Sequence, residues 1–213
     1  MNFLKKFLLS FFYKTSPYSQ AGQDLFALEL FGKKGTYIDI GAGHPKKGSN
    51  SYLLEAFNDW KGFSIEFSKK NKNLWDNSKT RKNKIYWEDA INFDYSKAIA
   101  ENNLSKEVDF LSCDIDPTSK TFLTLKKVIN DGVRPRYIAF ETDEYNSTVN
   151  YSELTKLFLE PYGYEVGIKN VYSNFKKNKI FETWFVKNSL NYNLTEYNSW
   201  IKKVKIKCHL KKQ

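Results

Sequence analysis

Cysteine and histidine are scarce in this chain of 213 residues, which contains two of each. Cys113 and Cys208 make neither a disulfide framework nor a zinc site, which is typical of a reducing compartment. His44 and His209 are too few for a zinc site built from three histidines. Cys113 lies in an apolar strand pattern, so we expect a small core residue there. The sequence therefore predicts a cytoplasmic protein.

Long hydrophobic runs are also missing, since no apolar stretch approaches the ~20 residues that a membrane-spanning helix needs. Residues 3–13, FLKKFLLSFFY, are apolar and basic, and no small-residue cleavage site follows them, which argues against a secretory signal. We expect an amphipathic helix that packs on the domain. The alternative is a peripheral membrane contact with Lys5 and Lys6 at the headgroups.

The positive charge lacks any compact arginine-rich block with interleaved aromatics, which argues against a nucleic-acid partner. The chain has 34 basic and 24 acidic residues, a net charge of +10, and its lysines are spread throughout. This pattern predicts a solvated lysine-rich surface, with an anionic partner as the alternative. Hydrophobic residues make up 41% and aromatic residues 17%, which indicates a globular chain long enough for one sizeable core.

Short apolar runs alternate with helical patterns along most of the chain. Two alternating β-rich segments, 163–171 and 179–186, follow these repeats and read as an antiparallel pair. The predicted strands before this pair are 37–40, 62–67, 85–87, 108–114 and 137–141. We predict an α/β fold with a doubly wound, mostly parallel sheet. The expected divisions are an amphipathic segment at 1–17, the domain at 18–190, and a basic helix or tail at 191–213.

The chain is organised around residues 37–52, YIDIGAGHPKKGSNSY. A buried strand, a turn with Gly41 and Gly43, and a helix from about Ser49 follow one another, an order that brings bare backbone close to a nucleotide-like ligand. A dinucleotide fingerprint would have a third glycine where Lys46 stands.

An acid in this motif narrows the choice of ligand. Asp39, two residues before Gly41, would repel a pyrophosphate. S-adenosylmethionine fits, because it carries an ammonium, a sulfonium and a ribose but no phosphate. The second strand ends at Glu66, 23 residues after Gly43 and near the ~20 expected of an acid that binds ribose hydroxyls. The alternative is that Asp39 only caps the turn and Glu66 is a surface charge.

Five segments carry a resemblance to a known family. They are SQAGQD (19–24), YIDIGAGHP…SNSYLLE (37–55), GFSIEF (62–67), VDFLSCDID (108–116) and RYIAFETD (136–143). In order and spacing the chain resembles the FkbM-type S-adenosylmethionine-dependent methyltransferases over roughly residues 18–187. The resemblance implies a class I methyltransferase fold, a Rossmann-like sheet of seven strands with an antiparallel last strand. It also implies methyl transfer to a hydroxyl, often on a sugar or secondary metabolite.

The resemblance also implies roles for particular residues. Asp39, Gly41 and Gly43 would form the cofactor turn, Glu66 would hold the ribose, Asp89 and Ala90 would flank the adenine, and Asp114 would lie near the methionine part. Gln20, Gln23 and Asp24 match the leading motif and are expected to line the same pocket. Asn50 is expected to cap the helix or to contact the amino-acid end of the cofactor. The Asp116-Pro117-Thr118 turn departs from the family pattern, which leaves the acceptor side open.

The transfer itself needs a base or an orienting group for the acceptor hydroxyl. Asp114, Asp116, Glu141 and Asp143 are the acids expected at the carboxyl ends of the strands, where ligands bind in such sheets. We rank Asp116 and Glu141 first and His44 third, because a histidine in the turn is more suited to a structural role. An alternative that we do not favour is Mg²⁺ bound by Asp114, Asp116 and Glu141.

The expected acceptor is a small molecule or a glycan, selected in part by the polar loop at 142–150. Two other classes stay open. One is an NAD-dependent sugar-modifying enzyme, against which Asp39 and the missing third glycine argue. The other is a non-catalytic binding domain that retains the fold.

Overall fold

The computed structural model describes residues 18–172 and 179–190 of the chain. Two sequence predictions lie outside these ranges: the amphipathic helix at 3–13 and the basic helix or tail from residue 191. None of the helices in the described part of the chain is both long enough and apolar enough to cross a bilayer.

Seven strands and six α-helices alternate along the described residues. The strands are β1 (Thr36–Ile40), β2 (Lys61–Ile65), β3 (Lys84–Tyr86), β4 (Phe110–Cys113), β5 (Tyr137–Glu141), β6 (Tyr164–Tyr172) and β7 (Ile180–Lys187). The helices are α1 (Gln23–Phe31), α2 (Tyr52–Asn58), α3 (Lys72–Asp76), α4 (Tyr95–Glu101), α5 (Thr118–Asn130) and α6 (Tyr151–Leu159). Short 3₁₀ turns at Lys69–Asn71 and Glu160–Tyr162 precede α3 and follow α6.

The strands form one sheet in the order β3-β2-β1-β4-β5-β7-β6. The first five are parallel, and β7 is antiparallel to both β5 and β6. Strand β1 pairs with β2 on one side and β4 on the other, so the strand order reverses beside β1. Ligands in open α/β sheets bind at such a point, outside the carboxyl ends of the strands. The predicted fold class is confirmed.

Apolar side chains cover both faces of the sheet, which explains why its central strands read as nearly continuous apolar runs. Ile38 and Ile40 of β1 pack in one core, and Tyr37 packs in the other. Cys113 is fully buried in the first core, as predicted. The carboxyl ends of β1 and β4 are therefore held in place from both sides.

The polar segment SQAGQD at 19–24 predicts a helix that starts near residue 21 with Ser19 as its N-cap. The structure differs, because α1 begins at Gln23 after Gly22, which has φ +91°. Ser19 instead accepts a hydrogen bond from the Gly22 amide and donates one to Asp24. The glycine makes the left-handed turn without steric cost, so the helix starts later than the polar pattern suggested.

Candidate functional site

Gly41 follows β1 at the centre of the sheet and is packed against the neighbouring strand. Its φ is +77°, and a Cβ atom at this position would lie 1.7 Å from the carbonyl oxygen of Asp114. The Gly41 amide donates to the carbonyl of Ile65, at the end of β2. Only a residue without a side chain fits between β2 and β4 here.

Gly43 lies in the same turn but faces open space. Its φ is +55°, and the nearest atom to a Cβ built there is the Gly41 carbonyl oxygen, 3.9 Å away. Gly41 therefore allows β1 and β4 to pack closely at their carboxyl ends. Gly43 leaves an open space beside the turn, and a ligand in that space could approach the backbone.

Glu66 reaches from the end of β2 to the glycine turn. Its Oε2 accepts from the Gly43 amide at 2.8 Å, and its Oε1 accepts from the Ser68 amide at 2.6 Å. The predicted ribose-binding acid and the predicted cofactor turn are thus in direct contact.

Asp39 lies behind the turn, where it is only 2% exposed. Ser51 donates to its Oδ2 at 2.5 Å, and Arg81 donates to the Ser51 hydroxyl at 2.9 Å. Burial raises the pKa of Asp39, and the hydrogen bond from Ser51 opposes that rise. Asp39 therefore holds the turn and the start of α2 together from inside the protein.

Arg81 was missed by the sequence analysis. Its guanidinium is buried, lies 3.2 Å from the carboxylate of Glu55 and stacks 4.3 Å from the ring centre of Trp75. Arg81 is one of only three arginines in a lysine-rich chain. Arginine suits a buried ion pair better than lysine does, because its planar guanidinium makes several hydrogen bonds at once. The rarity of arginine in this chain was therefore the sequence signal that could have pointed to a buried role for Arg81.

Asn50 is buried and is not a helix cap. Its Nδ2 donates to the Ser112 hydroxyl at 2.7 Å, while the first turn of α2 is held by Ser49, whose Oγ accepts from the Tyr52 amide at 3.2 Å. The other side-chain atom, Oδ1, is buried without a hydrogen-bond partner among the described residues. A buried acceptor usually has a donor, so this carbonyl suits an N–H group of a ligand.

Some residues of the SQAGQD segment (19–24) lie beside the candidate site, and others lie in the interior of the domain. Ser19 bridges to Gly48 in the loop after the turn, and Gln20 lies beside the same glycine. Gln23 donates instead to Glu182 on β7 at 2.7 Å, and Asp24 is fully buried. Gln20 therefore borders the turn loop, while Gln23 and Asp24 tie α1 to the rest of the domain.

Asp24 should make stability depend on pH. Burial raises its pKa to about 6 from 3.8, although hydrogen bonds from Ser19 and Leu25 oppose the rise. A carboxyl with a raised folded-state pKa stabilises the fold fully below pH 3.8 and loses that contribution as the pH rises through 6. We expect the free energy of unfolding of the native protein, relative to Asp24→Asn, to fall by about 2 kcal/mol between pH 4 and pH 7.

Urea denaturation at a series of pH values measures this difference. Asp76→Asn is the matched control, because Asp76 is exposed in a surface pair with Lys72. A difference between the native protein and Asp24→Asn that stays constant with pH would contradict the prediction.

Asp89 and Ala90 lie in the turn after β3. Asp89 accepts from the Ile91 amide at 3.1 Å and from Asn92 at 2.9 Å, and the Ala90 carbonyl accepts from Tyr95 at 2.9 Å. These bonds hold the turn that the resemblance assigns to adenine.

A groove of about 470 Å³ runs along β3 and α4, but none of the predicted site residues lines it.

A group of acids lies at the carboxyl ends of β4 and β5. Asp116, Glu141 and Asp143 each bring an oxygen within 4.8 Å of the others, with Asp116 exposed and the other two buried. Burial, followed by a hydrogen bond that protonated Glu141 donates to Asp114 and by repulsion from the Asp114 charge, raises the pKa of Glu141 well above its usual range. The neutral form of Glu141 is therefore favoured when no cation is nearby.

His44 lies in the turn loop, where its Nδ1 accepts from the amides of Lys46 and Lys47, both at 3.0 Å. Desolvation and then the charge of Lys47 lower its pKa. The neutral ring therefore carries its proton on Nε2 and uses its lone pair to shape the loop. The catalytic role of His44 stays a prediction.

No family model matches this sequence, and a comparison with curated proteins finds no match. Solved structures do match. Magnesium protoporphyrin IX methyltransferase from Synechocystis PCC 6803, described with bound S-adenosylmethionine, is 12% identical with a TM-score of 0.53, covering 78% of this chain and 77% of that one.

Two further structures have the same architecture. A protein of the NADB-Rossmann superfamily from Streptococcus agalactiae is 12% identical with a TM-score of 0.54, covering 82% of this chain and 71% of its own. An rRNA methylase from Streptococcus thermophilus is 7% identical with a TM-score of 0.50, covering 77% and 93%. At these identities the comparisons establish the fold alone: the chain has the Rossmann-like fold of class I methyltransferases, a seven-stranded sheet with antiparallel last strands.

Proposed function

We propose that this protein is an S-adenosylmethionine-dependent methyltransferase that methylates a hydroxyl of a sugar, a glycan or a small metabolite. The observation that carries the proposal is the contact between Glu66 and the Gly43 amide at the carboxyl ends of β2 and β1. An acid and a glycine turn meet there, beside the reversal of strand order at which nucleotide-like ligands bind. The shared fold with a methyltransferase described with bound S-adenosylmethionine supports it.

The residues around the turn fit this cofactor. Gly43 leaves open space for it, and the carboxylate of Glu66 suits the two ribose hydroxyls. The unpartnered Oδ1 of Asn50 suits the N–H groups of an ammonium. Asp89 and Ala90 would border the adenine, and Asp114 the methionine part, as the resemblance implies.

Held beside Gly43, Glu66 and Asn50, S-adenosylmethionine would supply a methyl carbon attached to a positively charged sulfur, which would leave with the bonding electron pair when an acceptor oxygen takes the methyl group. The protein must hold the acceptor oxygen about 3–3.5 Å from the carbon and in line with the sulfur. The hydroxyl proton passes to a base as the oxygen–carbon bond forms.

Asp116 is the acid best suited to take that proton, because it is exposed in the loop after β4. Glu141 is buried and its pKa is raised, so its neutral form is suited to orienting the acceptor. The lone pair of His44 is used within the turn loop, so we rank His44 below both acids.

Glu66→Gln tests the cofactor site. The amide cannot accept hydrogen bonds with both of its terminal atoms, and it removes the charge that favours two ribose hydroxyls. We expect the dissociation constant for S-adenosylhomocysteine, measured by calorimetry, to rise at least about tenfold, since hydrogen bonds to charged groups contribute roughly 1.5–3 kcal/mol.

The control for this experiment is Glu88→Gln, which removes an exposed acid just beyond the next strand, β3. It should leave the affinity unchanged. If native protein does not bind S-adenosylhomocysteine, the non-catalytic alternative is favoured, whereas binding of NAD in its place would favour a sugar-modifying dehydrogenase.

The acceptor class is tested by methyl transfer from labelled cofactor to glycans, small hydroxylated metabolites and RNA in parallel. RNA is included because the net charge is +10 and an rRNA methylase has the same fold. The sugar or metabolite assignment predicts label in the first two arms, and labelling of RNA alone would contradict it.

A further inference from the structure

We propose that Asp116, Glu141 and Asp143 form a site for a divalent cation of the Mg²⁺ and Mn²⁺ class at the carboxyl ends of β4 and β5. The cation would also bind hydroxyl oxygens of the acceptor, a part that rests on the methyltransferase function proposed above. The three carboxylates come from the loop after β4, the end of β5 and the loop after β5.

The geometry of the three carboxylates fits one ion. One oxygen from each residue lies within 4.8 Å of the other two. Oxygens on opposite sides of a bound ion are about 4.2 Å apart for Mg²⁺, because each metal–oxygen bond is 2.0–2.1 Å. The observed separation of up to 4.8 Å slightly exceeds this value, so the three carboxylates would close around a bound ion.

Unpartnered oxygens supply an independent indication of a ligand. Oε2 of Glu141 and Oδ1 of Asp143 are buried without a hydrogen-bond partner in the described ranges, and both residues are 5% exposed. Buried carboxylate oxygens are costly unless a hydrogen bond, an opposite charge or a metal satisfies them. A cation between them satisfies both atoms at once.

The charge of the region also favours a cation. None of the three carboxylates forms an ion pair with a lysine or arginine within residues 18–172 and 179–190. Two further acids, Asp114 and Glu182, are close enough to Glu141 to repel its charge. Carboxylate oxygens are the ligands that Mg²⁺ and Mn²⁺ prefer, whereas softer metals favour nitrogen or sulfur.

The arrangement differs from the metal set considered from sequence, which had Asp114 in place of Asp143. The Asp114 amide donates to the Ile40 carbonyl and its carbonyl oxygen packs against Gly41, while its side chain is hydrogen-bonded to Glu141. Asp114 therefore connects the glycine turn to Glu141, which places the proposed ion beside the turn that we assign to the cofactor.

The cation would have two effects on the acceptor. Three carboxylates occupy three of the six positions of an octahedral ion, and the exposed side at Asp116 leaves the others open to solvent or hydroxyl oxygens. An oxygen bound to the ion loses its proton more readily and is held in a fixed direction. An acceptor with two neighbouring hydroxyls could fill two open positions.

Binding of Mn²⁺ alone to the full chain tests the site without any activity measurement. The protein is stripped with EDTA, desalted and titrated with Mn²⁺, and free Mn²⁺ is followed by electron paramagnetic resonance. We expect one saturable site. Asp116→Asn should weaken it at least about tenfold, because changing even an outer-shell partner of a metal ligand costs 10–100-fold.

Glu144→Gln is the matched control, since Glu144 lies one residue beyond Asp143 and the change removes the same charge. It should leave Mn²⁺ affinity within about twofold. Absence of a saturable site, or an equal loss in Glu144→Gln and Asp116→Asn, would overturn the proposal. S-adenosylhomocysteine binding by the same metal-free samples tests the methyltransferase function separately, so either proposal can fail while the other stands.

Discussion

Replacing Gly41 by alanine is expected to destabilise the domain by roughly 2–6 kcal/mol. The estimate combines roughly 1–3 kcal/mol for overpacking with roughly 1–3 kcal/mol for holding a non-glycine residue at positive φ. The added methyl group would lie 1.7 Å from the Asp114 carbonyl oxygen, so β1 and β4 must separate at their carboxyl ends. Native domains are stable by about 5–15 kcal/mol, so this loss is a large fraction of the total.

Gly43→Ala separates packing from ligand binding. Gly43 also has positive φ, but a Cβ atom there meets open space. We expect a loss of only about 1–2 kcal/mol, from backbone strain alone. The methyl group occupies the space that we assign to the cofactor, so S-adenosylhomocysteine affinity should fall at least about tenfold.

Urea denaturation followed by circular dichroism measures both stabilities, and calorimetry measures the affinity of Gly43→Ala. Equal stability of the two variants would show that a methyl group at position 41 does not force the ends of β1 and β4 apart. If Gly43→Ala binds S-adenosylhomocysteine as tightly as the native protein does, the glycine turn is not part of the cofactor site.

Replacing Arg81 by methionine should cost about 3–5 kcal/mol of unfolding free energy, because it leaves the buried carboxylate of Glu55 without its cation. The side chains of Arg81 and Glu55 are 1% and 4% exposed. Arg81 also donates to Ser51 and Ser64, so the variant removes hydrogen bonds behind the glycine turn. The measurement is the shift in the urea midpoint at constant slope.

Arg136→Met is the matched control, since Arg136 pairs with Asp109 at 2.9 Å while its side chain remains 38% exposed. Pairs of this kind contribute about 0–1 kcal/mol. A double-mutant cycle with Glu55→Gln isolates the pair itself. If Arg81→Met and Arg136→Met shift the midpoint equally, the buried pair does not support the turn.

Local patterns were sufficient to predict most of the fold. Strand β5 at Tyr137–Glu141 matches its predicted bounds, and the predicted segments 163–171 and 179–186 form β6 and β7. These patterns are readable because a buried parallel strand is an apolar run and a helix repeats its apolar face every 3.6 residues. Helix starts were less predictable, as at Ser19, because a glycine with positive φ delays the first turn.

The sequence by itself determined the order of strands and helices, the glycine turn and the acid at the end of β2, since each is a local pattern. Only the tertiary structure decided which distant side chains meet. Gln23 bonds Glu182 across 159 residues, Arg81 supports Asp39 through Ser51, and Asp143 joins Asp116 and Glu141. These contacts depend on strand order and on the direction of each loop, and neither is encoded in the spacing of residues along the chain.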